Sequence, residues 1–281
     1  MNVTTYDAPK ADPRRRFYEA KRDEIEYSRK LRGLAKMIVS MARDMLSKEP
    51  GASEVYIDLA NTLNAYSMAI TPWAKAVALK MINDVALRDL KEWRTRSREM
   101  SYNLEELIRR APIGMTVQQR MQDQVDLITS IPRDIAEQVH QMAITTLYSG
   151  ERNTGIRDFI VQKTNASIAR ANTIARTEVA RTATEFTRAR AEYVGSDGYV
   201  WRTSQDSDVR REHRILDGTV HKWNNPPQAG TLHGAAVFSH PGQIWNCRCV
   251  AEPVIPGFRP DRRSWKYVGG QGAWEGYKPS A

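Results

Sequence analysis

Cysteine is scarce in this sequence: 281 residues carry only two, Cys247 and Cys249, one residue apart. A disulfide between them would close a small, strained ring. A scaffold stapled by disulfides is therefore excluded, and synthesis in a reducing cytoplasm is expected. Long apolar runs are missing too. No stretch reaches the ~18 apolar residues that a membrane-spanning helix needs. Met1 to Arg16 is polar and then basic, with no apolar segment behind it, so no secretory signal is expected. There is no long tract of one charge, and the densest is Arg14-Arg15-Arg16. The glycine-rich phosphate loops, the His-Glu-x-x-His zinc motif and the Gly-x-Ser-x-Gly elbow are also missing. Without them, the common nucleotide-binding, metalloprotease and serine-hydrolase chemistries have no sequence support.

Hydrophobic residues make up 41% of the chain, enough for a substantial core. Lys and Arg number 42 against 33 Asp and Glu, a formal net charge of +9. Such an excess attracts acidic partners, with nucleic acid the first candidate and an acidic protein surface the second. The same charges, interspersed with acids, also describe an ordinary solvated surface.

Residues 1–150 are written for helices. Asp12-Pro13 reads as a cap followed by proline at the first helical position, where its missing N–H costs nothing. A helix should run through Phe17, Leu31, Leu34, Ile38, Met41 and Met45 and stop at Glu49-Pro50-Gly51. Ser53 caps a second helix, carrying Val55, Leu59, Leu63 and Tyr66. Thr71-Pro72 opens a third, through Trp73, Val77, Met81, Val85 and Leu90. Ala111 to Gly114 is a break, Thr116 a restart, and Ser130 with Pro132 a further restart. Ser149 to Gly155 is the expected boundary. A short helix, Ile156 to Lys163, should precede a long one from about Ala166 to Val194. The long one carries Ile168, Ala175, Val179, Phe186 and Tyr193 on one side. Arg170, Arg181 and Arg188 lie roughly opposite, as a candidate face for DNA or an acidic partner. Gly195 is the left-handed stop.

Beyond Gly195 the pattern changes. Tyr199 to Thr203 reads as a strand and Asp206 to Ile215 as a short capped turn or helix. Leu216-Asp217-Gly218-Thr219 is a tight turn, and Thr219 to Trp223 a second strand. Asn224 to Ser239 is expected to be a loop, His240-Pro241-Gly242 a turn, and Cys249 to Val254 a third strand. Residues 257–281 have neither period. They read as an extended arm whose Trp265, Tyr267, Trp274 and Tyr277 are candidate anchors for a partner. The fold class is α+β, in three parts: a helical region 1–150, a β-containing domain 151–256 and the arm 257–281.

Unusual residues cluster in the second part: Trp201, Asp206, Arg210, His213, Asp217, Gly218, His240, Cys247, Arg248 and Cys249. Four of the five histidines and both cysteines lie between 213 and 249. Three uses compete. A structural zinc site would draw on Cys247, Cys249, His213 and either His240 or Asp217. On a flat strand the two cysteine side chains stand about 7 Å apart. Tetrahedral zinc sets two sulfurs roughly 3.8 Å apart, so the backbone would have to bend. A catalytic pair, His213 with Asp217 or with a cysteine, is the second use. The third is a brace. Small cysteines and bulky Trp201, Trp223 and Trp245 would fill a small core, while Arg210 and Arg248 pair with Asp206 and Asp217 to tie the loops.

The order of these residues is itself informative. Ala175-Arg176-Thr177-Glu178 on a helix leads to Trp201-Arg202-Thr203, then Asp206, Arg210, His213, Leu216-Asp217-Gly218 and finally Cys247-Arg248-Cys249. Over about residues 155–254 the chain resembles the head-morphogenesis domain of tailed phages, the Mu F-like minor head protein family. The resemblance implies a non-enzymatic, low-copy virion protein associated with the portal vertex and the capsid interior. Its implied partners are the portal protein, the major capsid protein, a scaffolding protein and packaged double-stranded DNA held without sequence specificity. Head assembly, DNA packaging or ejection are the implied roles, in the virion and, during assembly, in the host cytoplasm. Some relatives add a toxin or ADP-ribosyltransferase module after this domain. The roughly thirty residues after Cys249 leave no room for one, so no effector activity is expected. No cofactor is expected except a candidate structural zinc. A zinc-stabilised nucleic-acid-binding or processing protein is the alternative.

Overall fold

A computed structural model describes residues 13–48, 53–100, 102–149 and 154–255. It is α+β. The helices are α1 (Pro13–Lys48), α2 (Ser53–Ala69), α3 (Thr71–Met100), α4 (Tyr102–Arg110), α5 (Gly114–Ser149), α6 (Thr154–Tyr193) and α7 (Arg211–Leu216). The strands are β1 (Gly198–Arg202), β2 (Val220–Lys222), β3 (Gln228–Leu232), β4 (Ala235–Phe238) and β5 (Val250–Pro253). Pro13 and Ser53 open their helices and Thr71-Pro72 opens α3, as their start signals require. No helix among the described residues is long and apolar enough to cross a membrane.

Two joints differ from expectation. Pro132 does not start a new helix but lies inside a continuous α5. Proline removes one rung of the ladder and crowds the preceding turn. Here buried Ile128, Ile131, Ile135 and Ala136 hold the helix on both sides of it. Nearby carbonyls also gain side-chain donors: Ser67 Oγ donates to the Thr129 carbonyl at 2.6 Å and Ser130 Oγ to the Leu127 carbonyl at 3.0 Å. Likewise, the helices expected on either side of 164–165 are one, α6, of 40 residues. Thr164 and Asn165 are weak helix formers, but neither breaks the ladder as Gly or Pro would.

The chain forms two compact units, and α1, α3, α5 and α6 contribute to both. The first to be described, Glu24–Met81 with Gln119–Ala175, is helical. Its interior holds Leu31, Leu34 and Ile38 of α1, Leu59 and Leu63 of α2, Ala74 and Ala78 of α3, and Ile128 and Val139 of α5. Steps of three and four residues put these side chains on one face of each helix. Tyr27 donates to Gln124 Oε1 at 2.7 Å inside this unit.

The other unit draws its described residues from 13–23, 82–118 and 176–255. Its three-stranded antiparallel sheet has the order β2-β1-β5, with Val200 opposite Val220 and Trp201 opposite Ala251. Gly198 is required where β1 meets β2, because a Cβ there would lie 2.2 Å from the His221 carbonyl oxygen. The expected loop 224–239 instead contains a hairpin, β3 with β4. His233 (φ 48°) and Gly234 (φ 83°) form its two-residue turn, the left-handed pair that matches strand twist. The core of this unit joins Trp93 and Ile108 to Tyr199, Trp201, Trp223, Ala229, Ile244, Cys247, Cys249 and Ala251. On α6, Val179 and Phe186 are buried as expected, whereas Tyr193 is exposed.

Candidate functional site: a buried histidine–cysteine cluster

Three buried side chains converge in the β-containing unit: His213, Cys247 and Cys249. Helix α7 supplies the histidine. Arg211, Glu212 and Arg214 face solvent, and His213 alone of that helix is buried. The ring meets Trp201 edge-on, with centroids 5.2 Å apart. Its Nε2 lies 2.9 Å from the Ala229 carbonyl on β3. A carbonyl only accepts, so Nε2 carries the hydrogen. That leaves Nδ1 facing Cys247 Sγ at 3.6 Å and Cys249 Sγ at 3.5 Å.

The cysteines reach this position because their segment is bent rather than extended. The expected strand begins only at Val250. Before it, Asn246 adopts φ 55°, a left-handed conformation that Asn tolerates, and the Cys247 N–H closes a turn on the Ile244 carbonyl at 3.1 Å. The Gly242 N–H donates to Cys247 Sγ at 3.3 Å. Gly242, at φ 81°, lies so close to α6 that a Cβ would meet the Ala180 carbonyl oxygen at 3.0 Å. Thr184 Oγ1 donates to the Pro241 carbonyl at 2.6 Å, fixing the same turn to the helix. The two thiols are perturbed in opposite directions. The hydrogen bond from Cys249 holds the Cys247 thiol well below the ordinary range, while that same contact, together with burial, pushes Cys249 up.

The remaining signature residues tie loops together. Asp217 Oδ1 accepts the Thr203 N–H at 2.8 Å, and the Gly218 N–H donates to the Trp201 carbonyl at 2.8 Å, with Gly218 at φ 77°. Arg248 pairs with Asp206 at 2.9 Å and with Asp208 at 3.2 Å. Arg210 donates to the Trp245 carbonyl at 2.7 Å, not to an acid. Trp201 and Trp223 are core residues, but Trp245 is exposed. The expected pairing of Arg210 and Arg248 with Asp206 and Asp217 is thus half met. Asp217 is committed to a backbone N–H, and Asp208 joins in its place.

His240, the other candidate fourth ligand, is not in the cluster. Its Nδ1 meets the Tyr199 hydroxyl at 2.9 Å, and burial lowers its pKa to about 4. A cleft of about 200 Å³ borders the cluster, lined by His213, Cys247 and Cys249 together with Arg176, Arg210 and Arg248.

The candidate cationic face is substantially neutralised. Arg181 pairs with Glu178 at 3.0 Å and donates to the Gln243 carbonyl at 2.9 Å, and Arg188 pairs with Glu192 at 2.9 Å. In the helical unit, Arg170 lies 3.5 Å from Asp134. Trp265, Tyr267, Trp274 and Tyr277 lie outside the described residues.

Sequence reasoning missed Ala229, which acts through its carbonyl and so carries no side-chain signal. It also missed a buried ion pair elsewhere in the unit. Arg190 is buried against Asp89 at 2.7 Å and donates to the Ile108 carbonyl at 3.2 Å. Arginine on a charged helix reads as a surface residue unless its partner is known.

Comparison with known proteins bears out the recognised family. Residues 137–252 match the family described as Phage Mu protein F like protein, a stretch that includes the whole cluster. An uncharacterized protein of Haemophilus influenzae is 32% identical over 131 residues, covering 47% of this chain and 28% of that protein. An Enterococcus faecalis protein named as an NAD(+)–arginine ADP-ribosyltransferase is 30% identical over 139 residues, covering 46% of this chain and 28% of that protein. The matched stretch is therefore less than a third of either relative. No solved structure matches.

Proposed function

We propose that this chain, whose residues 137–252 match the phage Mu F-like family, is a structural minor head protein. It docks to portal and major capsid subunits and supports head assembly, DNA packaging or ejection. The observation that carries this reading is how the signature residues within the matched stretch are spent. Asp217, Gly218, Arg248 and Arg210 each satisfy a backbone or side-chain group elsewhere in the unit. Trp201, Cys247 and Cys249 fill its core. Groups committed to internal bonds stiffen a small β unit that has limited apolar volume of its own. A stiff unit presents a fixed surface, which is what docking into a symmetric assembly requires.

The ADP-ribosyltransferase name belongs to a relative of which this chain matches 28%. We carry none of that relative's transfer chemistry over to this chain. Nucleic-acid processing is the competing class. Its own test is incubation of the purified chain with DNA and a divalent metal; cleavage that depends on His213 would replace the structural reading.

The direct test is co-purification. The full chain, expressed with the portal protein of the same phage, is expected to elute with portal oligomers. Trp265, Tyr267, Trp274 and Tyr277 are the proposed anchors, so deletion of residues 257–281 is expected to release it. Portal binding unchanged by that deletion would refute the anchors. Failure of the full chain to bind portal or capsid protein would refute the docking role.

A further inference from the structure

From the geometry of His213, Cys247 and Cys249 we infer a binding site for one zinc-class divalent ion, held by three protein ligands with a fourth position on the cleft side. The inference is independent of any role in the head. Zinc bonds of about 2.3 Å to sulfur and 2.0–2.1 Å to nitrogen, at the tetrahedral angle, separate the two ligand atoms by roughly 3.6 Å. The structure places His213 Nδ1 at 3.6 Å and 3.5 Å from the two sulfurs. All three ligand atoms lie within 4.8 Å of one another. Nδ1 has a single lone pair, which serves one S–H donor well. Two sulfurs at equal distance from it mark a common centre instead.

The surrounding bonds are those of a ligand set. Nε2–H is anchored on the Ala229 carbonyl, which fixes the tautomer and aims Nδ1 inward. The Gly242 N–H donates to Cys247 Sγ, as a backbone amide does to a metal-bound thiolate. Asn246 supplies the left-handed bend that brings a Cys-x-Cys pair to one centre. Two nitrogen- or carboxylate-bearing residues expected as fourth ligands are engaged elsewhere, His240 with Tyr199 and Asp217 with Thr203. The cleft that borders all three ligands is what remains, and a water from it completes the coordination. On binding, each coordinating thiol loses its proton to solvent.

The test uses the full chain, purified under reducing conditions, treated with chelator and titrated with cobalt(II). The expected result is one equivalent bound, with thiolate charge-transfer absorption and the intense visible bands of a four-coordinate centre. One equivalent of zinc should abolish the spectrum, and azide should shift it through the open position. His240→Gln should keep the spectrum, and Cys249→Ser should lose the charge-transfer intensity of one thiolate. Absence of any thiolate band from the unmutated chain would overturn the site, whatever becomes of the variants' folding. Retention of the full band in Cys249→Ser would overturn the ligand assignment. A spectrum indifferent to azide would overturn the open position.

Discussion

Asp89 and Arg190 form a buried ion pair that links α3 to α6, with side chains only 5% and 4% exposed. Thr187 Oγ1 adds a bond to the same carboxylate at 2.7 Å, and Arg190 reaches the Ile108 carbonyl at the end of α4. Burial pushes the Asp89 carboxyl up to about 6, in spite of the opposing pull of Arg190. The cost of desolvation therefore exceeds the attraction. Two consequences follow from that balance. Asp89→Ala leaves a buried guanidinium without its countercharge and should cost about 3–5 kcal/mol. Replacing both partners, Asp89→Leu with Arg190→Met, removes cost and gain together and should recover most of the loss. Urea unfolding followed by tryptophan fluorescence reads the difference, since Trp93 and Trp201 share this core. The single variant should lower the midpoint by on the order of 1 M without changing the slope. A single variant within about 1 kcal/mol of the parent would refute the reasoning. So would an apolar pair as damaging as the single change.

Three further predictions address the β-containing unit. Gly198→Ala should destabilise it by about 1–3 kcal/mol or more, because the new methyl group meets the His221 carbonyl, which is backbone and cannot rotate away; thermal unfolding measures this, and an unchanged midpoint would contradict the β1–β2 register. Trp201→Ala should cost about 3–5 kcal/mol, as expected for a fully buried indole, and a cost below 1 kcal/mol would mean that Trp201 is not at the core. For His240 the pKa is depressed by burial to about 4, from an ordinary 6.5. Between those values the unfolded chain holds a proton that the folded chain lacks, so stability is full above pH 6.5 and falls as pH drops through the window. Chemical denaturation at several pH values should show the slope of that fall reduced, by close to one proton, in His240→Asn; an unchanged slope would place the titration elsewhere.

Much of the helical architecture was legible because helix termini carry chemical signals. Pro13, Ser53, Thr71-Pro72 and Gly195 act locally, and tertiary packing did not override them. Pro132 and the 164–165 joint were misread because a breaker or weak former can be carried by buried neighbours such as Ile128 and Ile135. The β3–β4 hairpin was missed because its strands are largely exposed and show no apolar alternation. Its one signal was His233-Gly234. At the cluster, the residue types were readable but the selection was not. His213 and His240 are both buried histidines in one unit, and only the fold decides which meets the cysteines. Asp217 looked like a ligand or a catalytic acid because sequence does not reveal that the Thr203 N–H claims it.

The central claim is that this chain is a built-in part of a phage head. Quantitative mass spectrometry of density-purified heads from the phage that encodes it tests that claim most directly. The account predicts the chain in the heads at a fixed copy number far below that of the major capsid protein. Heads that lack it, with the chain recovered only free in the host cytoplasm, would contradict the account.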